Sequence, residues 1–326
     1  MIVHSQQEAI KYMNNKGRAG KPFLFIINFG ANIIHLYEPH EIDKTKLIYN
    51  LNGFTNNTCC RANIQPVEWQ TEPIPFPVYE KAFNYVSNQI KAGNSYLLNL
   101  TFPTRITTNL TLESIFQAAK APYKIWLKDE FVCFSPEIFV RIKDNCIRSF
   151  PMKGTIDASL PDAETQILSN KKEEAEHATI VDLIRNDLSR VASEVEVKRY
   201  RYLDRLITNR GELLQVSSEI EGKLPDNWKG SIGHILFELL PAGSISGAPK
   251  TKTLEIIEEA EIDSRGFYTG ISGYFDGEQL DSTVLIRFIE QKGEQLLFRS
   301  GGGITAQSNV DKEYNELKQK VYVPIY

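Results

Sequence analysis

Between residues 123 and 150 the chain offers four extended apolar runs, at 123–127, 131–134, 138–142 and 146–150, joined by turns of only a few residues. Parallel strands need crossovers of a dozen residues or more, so links this short dictate antiparallel pairing. Similar runs lie upstream at 23–29, 33–37 and 46–51, and downstream at 195–202, 213–220, 268–275, 282–289 and 295–299. Helical spacing is found elsewhere, at 1–15, 112–119, 162–191, 232–240, 250–260 and 311–321. A further helix stops near Gly93 and carries Val78, Ala82, Phe83, Val86 and Ile90 on one face. Strands and helices cluster without strict alternation, which predicts an α+β fold on large antiparallel sheets.

Prolines alternate in Glu72-Pro73-Ile74-Pro75-Phe76-Pro77, a pattern neither a helix nor a central strand accepts. Residues 73–77 are therefore expected to link a short strand-rich region, 1–72, to a main body at 78–326. The formal charge of −4 argues against non-specific nucleic-acid binding, which needs a basic face. No apolar run is long enough for a membrane span, and the N-terminal residues carry no signal-peptide pattern. The four cysteines show no CxxC spacing; Cys59 and Cys60 are adjacent, and Cys133 and Cys146 sit in apolar runs. A cytoplasmic protein with reduced thiols is expected.

The chemistry concentrates around Phe150-Pro151-Met152-Lys153-Gly154-Thr155. Pro151 biases the approach towards extended geometry and Gly154 permits a close turn, so Lys153 is held at a strand end. Such a lysine becomes a nucleophile once desolvation or a nearby cation removes its proton. Glu173 and Glu176 are three apart in a helical run, as are Glu313 and Glu316, so each pair shares a helix face. Solvated helix faces carry such pairs too, but four converging carboxylates would suit Mg²⁺. Asp182, Arg185, Asn186 and Asp187 form a polar cluster that reads as a network holding a helix end. The run 241–250 resembles a phosphate loop only superficially: its glycines are four apart and a helical stretch precedes it. Gly301-Gly302-Gly303 can be a flexible turn or a set of amides that cradle a carboxylate.

Five stretches match one family in order. Ser135-Pro136-Glu137-Ile138-Phe139 resembles its SPExF motif, and Pro151-Met152-Lys153-Gly154-Thr155 its PIKGT motif. Residues 176–188 resemble EHxMIVDLxRNDL, and residues 243–250 resemble GSITGAPK. The run from Gly301 through Glu313, Tyr314 and Glu316 resembles GGGIxAxSxxxxEYxE. On these residues the chain, from about Val78 onward, is similar to the chorismate-utilising enzymes. The resemblance implies a large antiparallel β-sandwich flanked by helices, with the catalytic core at 78–326. The lysine in the second motif points to the aminodeoxychorismate-forming branch, since anthranilate-forming members carry alanine there.

By the same resemblance Lys153 is the nucleophile and Glu137 the general acid. Arg287, in the strand run 282–289, and Tyr268 would grip the substrate, with Ser244, Thr155, Gly302 and Gly303 lining the site. Glu176 and Glu316 would bind Mg²⁺ directly, and Glu173 and Glu313 through water. The implied substrates are chorismate and ammonia, the latter from a glutamine amidotransferase partner. Gln215 stands where family members often have histidine, a residue associated with pyruvate loss, so its absence fits a product that keeps the enolpyruvyl group. The alternatives are a synthase that places nitrogen or water at C2, which Lys153 speaks against, and a catalytically silent, partner-binding homologue.

Overall fold

Residues 23–27 read Phe-Leu-Phe-Ile-Ile, and every one is buried. A strand that is apolar at odd and even positions alike needs cover on both faces. In the computed structural model Phe23, Phe25 and Ile27 face a core shared with the helices Gln6–Arg18, Lys171–Ser189 and Ile232–Leu239. Leu24 and Ile26 face the other way, onto Leu47, Tyr49, Ile125 and Phe131 of a second sheet. The structure describes residues 1–58, 67–208 and 211–325, so the adjacent Cys59 and Cys60 lie outside the described residues.

Among the described residues ten strands form the first sheet, in the order Ile2–Val3, Ile34–Tyr37, Phe23–Ile27, Ile271–Phe275, Leu280–Val284, Ile138–Lys143, Cys146–Ser149, Gly211–Lys223, Met152–Asp157. The tenth, Ser193–Thr208, pairs along the far edge of Gly211–Lys223. Nine strands form the second sheet, in the order Gly247–Ala248, Leu97–Thr108, Gln295–Ile304, Phe288–Lys292, Phe131–Ser135, Tyr123–Leu127, Leu47–Leu51, Phe54–Thr55, with Trp69–Glu72 also on Leu97–Thr108. The hairpins are antiparallel, as their short turns dictate. Helices Phe76–Lys91, Lys250–Ala260 and Val310–Gln319 cover the second sheet through Tyr79, Phe83, Ile256 and Leu317. No helix among the described residues is long and apolar enough to cross a membrane.

The residues before the prolines supply strands to both sheets: Phe23–Ile27 pairs with Ile271–Phe275, and Leu47–Leu51 with Tyr123–Leu127. Residues 73–77 run directly into the helix Phe76–Lys91, for which Pro75 is the N-cap. The helix therefore starts two residues earlier than its apolar spacing predicts. Its buried face begins at Tyr79, while Val78 is turned to solvent at 40% exposure.

Two further departures shape the site. The helical stretch 162–191 is two helices, Ala163–Ser169 and Lys171–Ser189, because Asn170 turns extended and caps the second by accepting from the Glu173 amide. The run 282–289 is also two strands, one in each sheet: Leu280–Val284 ends, and Phe288–Lys292 begins on the other side of the sandwich. Arg287 is therefore not in a strand. It sits at the crossover with φ +52°, a conformation uncommon for a side chain of its size.

Candidate active site

Where the two sheets converge lies a cavity of about 570 Å³, in the range of small-molecule sites. Its wall includes Lys153, Glu137, Arg287, Tyr268, Ser244, Thr155, Gly302, Gly303 and all four glutamates, Glu173, Glu176, Glu313 and Glu316. Gln215 faces it too, opposite Thr155 on the paired strand. Residues separated by up to 179 positions thus meet in one volume, and local structure explains how each arrives.

Lys153 lies within a strand, Met152–Asp157, instead of just beyond one. The register with Gly211–Lys223 slips between Met152↔Ser217 and Thr155↔Gln215, so Lys153 and Gly154 together oppose a single residue. That is a bulge, and Gly154 at φ +78° supplies its left-handed turn. A Cβ on Gly154 would come within 3.2 Å of the Glu173 carboxylate, so glycine also leaves room for the acidic wall. Lys153 Nζ donates to Glu176 Oε2 at 3.0 Å. Burial alone lowers the lysine pKa, but attraction from Glu176, Glu173 and Glu316 outweighs it and holds Lys153 as an ammonium ion.

Glu137 is fixed by its backbone. Its carbonyl accepts from Val284 N–H at 3.2 Å and from the Thr283 hydroxyl at 2.6 Å, at an irregularity in the sheet. Its carboxylate accepts a hydrogen bond from Ser244 Oγ. Though one side opens to the cavity, dense surrounding protein desolvates the carboxyl and raises its pKa; Ser244, Arg287, Lys153 and Lys320 offset part of that rise. A carboxyl whose pKa is raised by desolvation is better suited to donate a proton than an ordinary one.

Arg287 makes no ion pair among the described residues; its guanidinium lies 5.2 Å from the Tyr322 ring centre, and its carbonyl accepts from Phe134 N–H. An unneutralised arginine at a cavity wall suits an anionic substrate group. Tyr268 is buried beside Phe288, and desolvation pushes its hydroxyl up to about 12, so it stays a neutral donor. Gly302 and Gly303 pair with Leu100 and Asn99. A Cβ at Gly303 would lie 3.3 Å from Lys153 Nζ, and one at Gly302 would lie 3.4 Å from Glu313 Oε2.

The sequence reading missed Lys320 and Asn99. Lys320 Nζ bonds Glu316 Oε1 at 2.6 Å and the Gly301 carbonyl at 2.7 Å, and burial lowers its pKa against the pull of Glu316. Its place four residues after Glu316 was the available signal. Asn99 bonds the Ile245 and Ser246 carbonyls, and nothing in its local sequence marks it. Outside the cavity, the cluster at 182–187 is a network as expected: Arg185 and Asn186 donate to Asp182, and Asp187 pairs with Lys250 at 2.8 Å. That pairing, with a 2.9 Å bond to the Leu239 carbonyl, occupies the Lys250 ammonium group.

Among the described residues no group of three or more acidic, histidine or cysteine side chains is close enough to hold a metal ion. Glu176 is engaged by Lys153, Glu316 by Lys320, and Glu313 by Ser308. The donor chemistry nevertheless fits a hard divalent cation: only carboxylate oxygens are offered, from two helices lining one cavity.

The arrangement of two antiparallel sheets with flanking helices is shared with solved structures. The structure of MenF, the menaquinone-specific isochorismate synthase from Escherichia coli, superposes with a TM-score of 0.75 at 16% identity, covering 98% of this chain and 82% of that one. The chain belongs to the chorismate binding enzyme family, whose profile matches residues 31–325. That match takes in strands upstream of the prolines as well as the five motifs. An uncharacterized PabA-like protein of Haemophilus influenzae is 51% identical over 325 residues, all of this chain and 99% of that one. Aminodeoxychorismate synthase component 1 of Bacillus subtilis is 30% identical over 257 residues, spanning 75% of this chain and 54% of that protein.

Proposed function

We propose that the chain converts chorismate and ammonia to 4-amino-4-deoxychorismate through a covalent adduct on Lys153. The observation that carries this reading is the bulge that places Lys153 in the same cavity wall as Glu137, whose carboxyl pKa is raised by desolvation. The Lys153 amine, once its extra proton has passed to water in the cavity, attacks C2; both double bonds of the ring diene shift by one place, and the C4–O bond breaks. Glu137 gives its proton to the departing hydroxyl, which leaves as water, and takes back the proton lost by the lysine nitrogen. Ammonia then attacks C4, both double bonds return to their first positions, and the C2–N bond breaks. Glu137 carries the proton from the new C4 nitrogen to the leaving lysine, so the net change is ammonia in and water out.

Arg287 and Lys320 are the cations available for the substrate's two carboxylates, with the Gly302 and Gly303 segment beside them. Mg²⁺, held by Glu176 and Glu316 with Glu173 and Glu313 behind water, would withdraw electrons from the ring carboxylate and compete for the carboxylates that now hold Lys153. Gln215 offers no acid–base group at the wall opposite Thr155, in keeping with a product that retains its enolpyruvyl ether.

The test is product analysis by mass spectrometry and chromatography after incubation with chorismate, an ammonium salt and Mg²⁺. The 4-amino isomer is expected; a 2-amino product or isochorismate would overturn the assignment, and no chorismate consumption would favour a silent homologue. Turnover is expected to vanish in EDTA and to return with added Mg²⁺, whereas full activity in EDTA would remove the metal from the scheme.

Nitrogen delivery gives a further prediction. Cys133 is buried, and desolvation holds its thiol above the ordinary range; Cys146 lies in a strand. Neither suits attack on glutamine, and Cys59 and Cys60, outside the described residues, have no flanking glycine in the sequence. The pure chain is therefore expected to use ammonium and not glutamine, and to gain glutamine use only with a separate amidotransferase. Glutamine-dependent product from the chain alone would show otherwise.

A further inference from the structure

We propose that the buried Arg265–Glu261 pair, which does not touch the cavity, is its positioning element: it clamps three wall segments that the fold brings in separately. Only the kinetic arm of the test below depends on the chorismate reading.

Arg265 is 2% exposed. Its Nη1 donates to the Ile245 carbonyl at 2.8 Å and to the Thr269 hydroxyl at 3.4 Å, and its Nη2 to the Asn99 carbonyl at 2.6 Å. Ile245 lies between Ser244 and Ser246, Thr269 follows Tyr268, and Asn99 pairs with Gly303; all but Thr269 are wall residues. Glu261 takes the remaining donors, from Nε at 2.9 Å and Nη2 at 2.7 Å. It also accepts from the amide and hydroxyl of Thr101, at 2.8 and 2.9 Å, one pleat along from Asn99. The guanidinium is packed beneath the Phe29 ring, 4.6 Å from its centre.

A buried ion pair gives little net stability, and apolar residues of similar volume often replace one without loss. Stability is therefore not what sets this arrangement apart. A planar fork with five N–H donors can hold two carbonyls on different segments and a carboxylate at once; an ammonium or an apolar chain cannot. Ser244, which bonds Glu137, and Tyr268 of the cavity wall each adjoin a residue held by Arg265 Nη1. A shift of about 1 Å between such groups costs on the order of 100-fold in rate.

The test compares wild type with the double variant Arg265→Met/Glu261→Leu and with Arg265→Lys. Hydrogen exchange is followed by mass spectrometry over 97–101 and 243–248, alongside thermal melting and steady-state kinetics with chorismate. The double variant takes partners from the Ile245 and Asn99 carbonyls and the Thr101 amide, so it is expected to melt below wild type and to exchange faster in both segments than in the rest of the second sheet. It should lose about 100-fold in kcat/KM, through higher KM and lower kcat together. Arg265→Lys, which keeps the charge opposite Glu261 but not both carbonyl contacts, is expected to fall between. Wild-type exchange in both segments of a folded double variant overturns the clamp, whatever the substrate. Should the double variant fail to fold, wild-type exchange, KM and kcat in Arg265→Lys overturn it equally. Faster exchange with no chorismate turnover in wild type would support the clamp and count against the proposed reaction.

Discussion

Lys153→Ala is expected to end formation of 4-amino-4-deoxychorismate, with a loss on the order of 10³-fold or more, as for removal of a covalent nucleophile. The argument runs through the order of bond making. Ammonia reaches C4 because a nitrogen already occupies C2 and can be expelled from it. Without the lysine, the carboxylates, Glu137 and Arg287 still hold the ring, so ammonia attacks C2 directly. The variant should therefore form some 2-amino isomer, slowly. Wild type given chorismate but no ammonia should gain the mass of the ring adduct on intact protein. The adduct is a secondary amine and needs no reduction to be seen. An undiminished rate of 4-amino product from Lys153→Ala would reduce Lys153 to an electrostatic contact.

The structure adds a constraint to that scheme. Lys153 is bonded to Glu176 at 3.0 Å and held as an ammonium ion, which cannot attack carbon. Glu176→Gln removes the strongest of those attractions and one of the four carboxylates at once. Its effect on amine availability and its effect on metal affinity are opposed, so Lys153→Ala is the cleaner experiment.

What the sequence made legible and what it hid separate along physical lines. Short turns gave antiparallel pairing, because loop length limits strand direction whatever the side chains are. The candidate residues were legible through five ordered motifs and, for Glu173, Tyr268 and Arg287, through the family resemblance around them; all line one volume, as do the unforeseen Asn99 and Lys320. The bulge at Lys153 was not, because it exists only relative to Ser217 and Gln215 on a strand some sixty positions away. Nor was the break at Arg287, since hydrophobic alternation continues through 282–289 while the chain changes sheets. Asn170 fits a helical run by spacing and ends one by capping, and spacing cannot choose between those roles. The four-residue spacing of Glu261 and Arg265 signals their own pairing, but the contacts that make the pair a clamp, save Thr269, come from residues distant in sequence.

Glu137→Gln is expected to separate activity from stability. The variant keeps the shape of the side chain and can still accept from Ser244, but it has no proton to give. Turnover should fall by about 10²- to 10⁴-fold, the usual contribution of a general acid. Stability should move the other way. Desolvation raises the pKa of Glu137 in the folded protein above its unfolded value. Its contribution to stability is therefore fully present below the unfolded pKa and is lost as pH rises through the folded one. An amide does not titrate, so the variant escapes that loss. Near pH 4, where wild-type Glu137 is mainly protonated in both states, the two proteins should melt together. At higher pH the variant should melt above wild type, by a margin that grows until Glu137 is fully ionised. Melting curves for both proteins across that range provide the check. If the variant melts below wild type at every pH, the Glu137 carboxylate is stabilised by Arg287, Lys153 and Lys320 more than burial penalises it. It would then sit in the cavity as a permanent anion and could not be the acid that expels the C4 hydroxyl.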